Sequence, residues 1–281
     1  MKKRICYVEI SSPSGEKIIR NIAIKGNVIR KMGSVTAEAK VSLANLNKDD
    51  IEYLSTYMSP YVDHSKNKTM KIYAGYEESG YGVIFDGDIT SAIPKNGVDI
   101  WLDIEAKSNY FNRQNIITFS IDSPIEVEKF AQKIAELLGV TLQWRSNSKK
   151  YIDSFVFSGA KAKLIDELNK YGDFIAFLDN GVLKVLDKES VGTQGGSSEG
   201  VKLVNSFSGL IGSPSITEHG VSFKTLLDPV LSPGDLVRLE SEKYPVLDGL
   251  YQICELKFNF STHSKEFYCE IKSKKEWSSN L

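Results

Sequence analysis

Apolar and polar positions alternate with period two through roughly the first hundred residues. The pattern starts at Ile5-Cys6-Tyr7-Val8-Glu9-Ile10, returns around Ile18, Ile22 and Ile24, and is plainest at Val35, Ala37, Ala39, Val41 and Leu43. Such alternation marks half-buried β-strands, because successive side chains leave a strand on opposite faces. It predicts strands over 18–24 and 35–43, and further strands over 71–76, 81–93 and 98–107, with Pro94-Lys95-Asn96-Gly97 as a hairpin turn. One short helix interrupts them. Asn47 is placed as its N-cap, Asp49 and Asp50 suit its positive end, and Ile51, Leu54 and Met58 share a face.

The period changes after about residue 120. Ser123-Pro124-Ile125-Glu126 reads as a capping box with proline at the first helical position, Val127, Phe130, Ala131, Ile134, Leu137 and Leu138 follow helical spacing, and Gly139 ends the run. A second helix is predicted over 159–171. Two apolar runs then flank Asp179-Asn180-Gly181, a strong hairpin signal. Residues 192–200 contain four glycines and no large apolar side chain, as a linker would. Strands resume over 220–226 and 236–239, followed by a long pair over 249–260 and 265–273 that turns at Ser261-Thr262-His263-Ser264. The predicted class is α+β and predominantly β. Its expected organisation is a β domain over 1–113, a small α/β module over 114–191, a linker over 192–200 and a second β domain over 201–281.

A length of 281 residues suits such a two-domain plan with an insert. Lys plus Arg number 35 against 36 Asp plus Glu, so the chain lacks the basic excess with which dedicated nucleic-acid binders neutralise phosphates. No apolar run reaches the roughly 18 residues of a membrane-spanning helix. Met1-Lys2-Lys3-Arg4 is basic like a signal peptide but leads directly into a strand pattern, so folding in a cytosol is expected. Cys6, Cys254 and Cys269 are odd in number and widely spread, which fits reduced thiols.

Candidate chemistry is sparse. His64, His219 and His263 lie far apart in turn-like contexts without paired metal-ligand spacing, so no metal and no cofactor is expected. No nucleophile elbow or phosphate loop occurs. Carboxylates are more suggestive. Asp99, Trp101, Asp103 and Glu105 fall on one face of a strand, and Asp86 and Asp88 stand nearby in sequence. This face reads as a solvated or channel-facing sheet surface. Two alternatives stay open: a glycan-degrading enzyme using a pair such as Asp86 and Asp103, and a carbohydrate-binding module with Trp101 or Trp144 as the stacking platform.

The last third of the chain carries an ordered set of turns: Asn205-Ser206-Phe207-Ser208-Gly209-Leu210-Ile211-Gly212-Ser213-Pro214, Gly220-Val221-Ser222-Phe223, Leu226-Leu227-Asp228-Pro229, Pro233-Gly234-Asp235 and Asp248-Gly249-Leu250-Tyr251. Together with Val156-Phe157-Ser158-Gly159 and the helix and hairpin after it, this order resembles phage baseplate hub proteins. Gly212, Pro214, Gly220, Asp228, Pro229 and Gly234 are the signature turn positions. The resemblance implies two tail-tube-like β-barrel domains with a small α/β insert. It also implies a homotrimeric ring joining the tail tube to the spike near the tape-measure end, assembled in the host cytoplasm for the virion tail, with DNA only as passing cargo. No wall-degrading segment is visible. For a conduit that must not hold phosphate, Asp99, Asp103 and Glu105 become the candidate channel-facing acidic face.

Overall fold

The structure is a computed structural model that describes residues 3–12, 15–33, 36–55, 68–95, 100–188, 201–218 and 220–275. The N-terminal part supplies strands β1 (Arg4–Ser12), β2 (Gly15–Ile19), β3 (Ile24–Lys31) and β4 (Glu38–Ala44), helix α1 (Lys48–Leu54), and strands β5 (Thr69–Tyr76), β6 (Gly80–Lys95) and β7 (Trp101–Lys107). The middle supplies β8 (Ile116–Ile121), β9 (Ile125–Glu126), α2 (Val127–Leu138), β10 (Thr141–Arg145), β11 (Tyr151–Ile152), β12 (Phe155–Ala160), α3 (Lys163–Leu168), β13 (Phe174–Asp179) and β14 (Val182–Asp187). The remainder supplies β15 (Lys202–Val204), β16 (Leu210–Thr217), β17 (Gly220–Leu226), β18 (Leu236–Leu239), β19 (Gly249–Ser261) and β20 (Phe267–Lys275).

The α+β, predominantly β class is as expected. The two β halves are fused: β3 pairs antiparallel with β19 from Lys31↔Glu255 to Lys25↔Ser261. One 13-stranded sheet therefore runs β16-β17-β20-β19-β3-β4-β7-β6-β5-β1-β2, with β18 and β15 branching from β19. Its ladder does not close among the described residues, so the expected pair of barrels takes the form of one continuous rolled sheet. The roll is visible in side chains. Strands β19, β3, β4, β7 and β6 separate β20 from β5, which in a flat sheet would put them roughly 30 Å apart. Yet the Tyr76 ring on β5 lies 5.2 Å from the Phe267 ring on β20, and Tyr76 Oη donates to the Phe267 carbonyl at 3.3 Å. Arg4 covers the same phenyl ring at 5.1 Å. Inside the roll is one core that draws on both halves, from Val8, Ile72 and Ile104 to Phe223, Phe258 and Ile271.

The middle segment has its own core. The apolar stripe of α2 (Val127, Phe130, Ala131, Ile134, Ala135, Leu138) packs with Leu164, Ile165 and Leu168 of α3 against Phe174, Ala176, Leu178, Leu183 and Val185. Strands β10, β14 and β13 form a separate three-stranded sheet. Gly139 ends α2 in the left-handed region at φ 69°, as predicted.

Several local expectations change. The predicted strand over 18–24 is broken: Asn21 has φ 62°, and the chain turns there from β2 into β3. The capping box ahead of α2 does not form. Ile125 and Glu126 pair instead with Ile152 and Tyr151, and Val127 N–H donates to the Lys150 carbonyl. The second helix is shorter than predicted, because Gly159 and Ala160 are taken into β12 opposite Ile117 and Ile116. Asn47 does cap α1, its Oδ1 accepting from Asp50 N–H at 2.7 Å. The linker over 192–200, Val35, Met58, His64, Asp99 and His219 lie outside the described residues.

Candidate assembly surfaces and a buried joint

The predicted acidic face exists in part. On β7, Leu102, Ile104 and Ala106 turn into the core while Asp103 and Glu105 turn outward. Both are matched by cations. Lys40 on β4 donates to Glu105 at 2.8 Å, Lys95 on β6 pairs with Asp103, and Ser42 donates to Asp103 at 2.7 Å. Burial pushes the Asp103 carboxyl up, but the bonds from Lys95 and Ser42 outweigh it and hold it below its ordinary value. Beside them Lys107 pairs with Glu38. The face is a ladder of opposite charges rather than a run of carboxylates.

The residues of the two alternative readings are placed apart or covered. Asp103 stands opposite Ile93, and Asp86 lies far back along the same strand β6, roughly 20 Å away at about 3.3 Å per residue. A glycosidase pair needs about 5 to 10 Å. Trp101 is covered by the Lys25 ammonium, 4.2 Å from the ring centroid. Trp144 packs edge-on against Phe174 at 5.6 Å, toward the middle segment's core. His263 Nδ1 shares a 2.7 Å hydrogen bond with Thr262 Oγ1 in the turn between β19 and β20. No disulfide joins the three cysteines, and Cys269 stands opposite Phe258 rather than Cys254. Burial pushes the thiols of Cys6 and Cys269 up to about 12. Among the described residues no group of three or more His, Cys, Asp or Glu is arranged to hold a metal ion, and no helix is long and apolar enough to cross a membrane.

The signature turns are packing devices. A Cβ on Gly220 would stand 2.2 Å from the Ser273 carbonyl oxygen, so this position lets β17 approach β20. Gly212 and Pro214 sit in the bulge that shifts the β16–β17 register between Ile211 and Ser215. Asp228 Oδ1 accepts from Val230 N–H at 3.0 Å, and its carboxylate pairs with Lys202. Pro229 faces Gly82 of β6 across the roll. Gly234 has φ +88°, and a Cβ there would stand 2.4 Å from Leu186 of β14. That turn therefore docks the C-terminal part onto the middle segment.

Beside Gly234 lies the least expected feature of the molecule. The β13–β14 hairpin turns Phe174, Ala176, Leu178, Leu183 and Val185 toward its own helices. Its other face carries Phe177, Asp179, Lys184 and Leu186, all buried. Arg30 of β3 reaches this face and grips Asp179 through two bonds of 2.6 Å. Lys184 Nζ lies 2.9 Å from the same carboxylate, and Ser232 bonds to both Arg30 and Asp179. Burial pushes the Asp179 carboxyl up, but the Arg30 bond and charge, with Lys184 and Ser232, bring it down to about 2. At the rim Arg145 approaches Asp235 at 3.5 Å; burial nevertheless leaves the Asp235 carboxyl above its ordinary value. The joint ties all three sections of the chain. Sequence reasoning missed it, reading Asp179 only as a turn residue. The available signal was Lys184, a lone charge inside the otherwise apolar run 182–186.

Comparison with known proteins agrees with this architecture. The family model described as baseplate hub gp41 matches residues 5–273. No curated protein matches the chain. Among solved structures, the 43 kDa tail protein of prophage MuSo2 from Shewanella oneidensis is similar with a TM-score of 0.62 at 9% identity, over 97% of this chain and 98% of that one. The tail protein from Neisseria meningitidis MC58 gives 0.62 at 9% identity over 96% and 97%. The E. coli c3393 protein, a type VI secretion component described as structurally similar to bacteriophage T4 tail proteins gp27 and gp5, gives 0.58 at 8% identity over 96% and 77%.

Proposed function

The chain belongs to the baseplate hub gp41 family, and from that premise we propose that it acts as a homotrimeric hub joining the tail tube to the spike. Its role is that of a structural protein of the phage tail. The finer reading has three copies assembled in the host cytoplasm into a ring, with the tube on one side, the spike on the other and the tape-measure end close by. DNA then crosses the ring without being held. The observation that carries this reading is the family match across nearly the whole chain, supported by a sheet whose rolled frame draws on both termini.

Within that ring the units are 1–113 and 201–281 as the two tube-like β parts, 114–191 as the insert and 192–200 as the linker. The outward face of β7, with Asp103, Glu105 and by sequence Asp99, is assigned to the lumen. With Lys40 and Lys95 paired to its carboxylates, such a wall is close to neutral and offers phosphates neither a cationic trap nor a strong barrier. The chain works by shape and needs no bond-breaking site, and the separation of Asp86 from Asp103 removes the carboxylate pair that favoured an enzyme.

Co-expression with the tail tube and spike proteins of the same virus, followed by light scattering on the purified complex, tests the assignment. Three copies of this chain per spike trimer are expected. A chain that binds neither protein overturns it.

A further inference from the structure

The outward face of the large sheet changes character along the strand order. On β20, β19, β4 and β7 every outward carboxylate is matched. Glu270 is shared by Lys224 and Lys257, Glu255 by Lys31 and Lys272, and Glu38, Asp103 and Glu105 each have a lysine. On β17, β20 and β19 cations are in excess, because Lys274 brings the outward lysines to four against the two glutamates.

Beyond β7 the pattern reverses. Strand β6 pairs with β7 through 88–95 and with β5 through 80–88, and the register shifts in both ladders. Bulges of this kind bend a strand, so β5, β1 and β2 form a wing set at an angle to the β3–β4–β7 wall. The register lays out its outward side: Ile18, Glu9, Lys71 and Asp86 stand in one row, and Tyr7, Tyr73 and Val83 in the next. Tyr7 stacks on Tyr73 at 4.5 Å, and Tyr81 meets Tyr7 edge-on at 6.3 Å. Ile18 is 54% exposed and Tyr81 51%. Among the described residues, Glu9, Glu16 and Asp86 form no ion pair. Burial and the neighbouring Glu16 push the Glu9 carboxyl up, and burial does the same to Asp86 against the pull of Lys71. Clustered tyrosines are the makeup of a protein interface, and carboxylates without cations complement a basic partner.

We propose that the tyrosine-and-carboxylate wing of one copy docks face-on against the lysine-rich outward side of β17, β20 and β19 of the next copy. The inference rests on the trimeric reading above and deepens it by naming the two faces that meet. A second copy is the occupant because one chain carries both complementary surfaces, and they are unlike, as a heterologous contact that closes by rotation requires. In the strand order the two faces flank β3, β4 and β7, so joining them from copy to copy leaves the β7 face free to line a lumen. The contact is between side-chain faces and not strand edges, so each sheet stays within its own copy and no closed ladder fills the axis.

Light scattering on the full chain, alone or co-expressed with the spike protein, tests this through charge reversal. Glu9→Lys with Glu16→Lys on the wing, or Lys272→Glu with Lys274→Glu on the lysine face, should each lower the three-copy species about tenfold or more, because like charges then meet. A chain carrying all four substitutions should recover it, since every contact again joins opposite charges. Far-ultraviolet circular dichroism should stay unchanged throughout. Tyr81→Ser, which moves no charge on an exposed ring, should weaken assembly as well. Full assembly by either charge-reversed pair overturns this inference and leaves the trimer standing. So does a loss that the four-substitution chain fails to recover, which would give the wing to the tube or spike protein instead. If the unsubstituted chain forms no three-copy species, the trimeric reading fails and takes this inference with it.

Discussion

At the scale of single residues, the joint around Asp179 holds the most consequential charges. Removing one partner of a buried ion pair leaves the other uncompensated, so Asp179→Ala should destabilise the protein by about 3–5 kcal/mol in urea denaturation. Replacing Arg30, Asp179 and Lys184 together by Met, Leu and Met should recover most of that loss, because apolar groups of similar volume satisfy a buried site without desolvation cost. The pH dependence has a definite sign. Asp179 sits at about 2 in the fold against an ordinary 3.8, which contributes on the order of 2 kcal/mol. That contribution is complete above about pH 5 and disappears as pH falls through about 2. Asp235 acts in the opposite sense: its raised carboxyl costs stability at neutral pH, and acid relieves that cost. Asp179→Asn should therefore flatten the loss of stability on acidification, as read from urea midpoints taken between about pH 5 and pH 2. Gly234→Ala combines a left-handed φ with a collision against Leu186, and should cost about 1–3 kcal/mol in thermal melting.

At the scale of elements, the sequence was legible wherever one physical signal dominated. Helix α2 could be read from its apolar stripe and Gly139, and the β13–β14 hairpin from Asn180-Gly181, because both are local. Register was not local. The β2–β3 break looked like one continuous alternation, since Ile18, Ile22 and Ile24 keep the same parity through a turn that Asn21 makes by adopting positive φ. The capping box failed because a two-residue bridge to Tyr151 and Ile152, distant in sequence, claimed its residues. The β3–β19 seam has no sequence signature, although it fuses the two halves. The candidate face was legible in its alternation but not in its charge, which depends on Lys40 and Lys95 from neighbouring strands. The insert should behave as a unit of its own. Phe130 meets Phe155 at 4.8 Å and Tyr171 at 5.9 Å, so Phe130→Ala should cost about 3–5 kcal/mol. Hydrogen exchange should then show 116–187 opening ahead of β3 and β19.

At the scale of the whole molecule, the rolled sheet, the separate insert core and the buried joint describe one frame with an insert fixed to it. Rigidity here has an electrostatic component: the joint stabilises the fold little more than apolar groups of similar volume would, but it fixes how the insert sits on the frame. The ring proposed above, between tube and spike, would need that fixed angle more than it needs a pocket. The most direct measurement of this account is a cryo-electron-microscopy reconstruction of the tail tip of the virus that encodes the chain. The account predicts three copies in a ring between tube and spike, with the outward face of β7 lining the lumen. Density for this chain at the tail periphery, or in a copy number that is not a multiple of three, would contradict it.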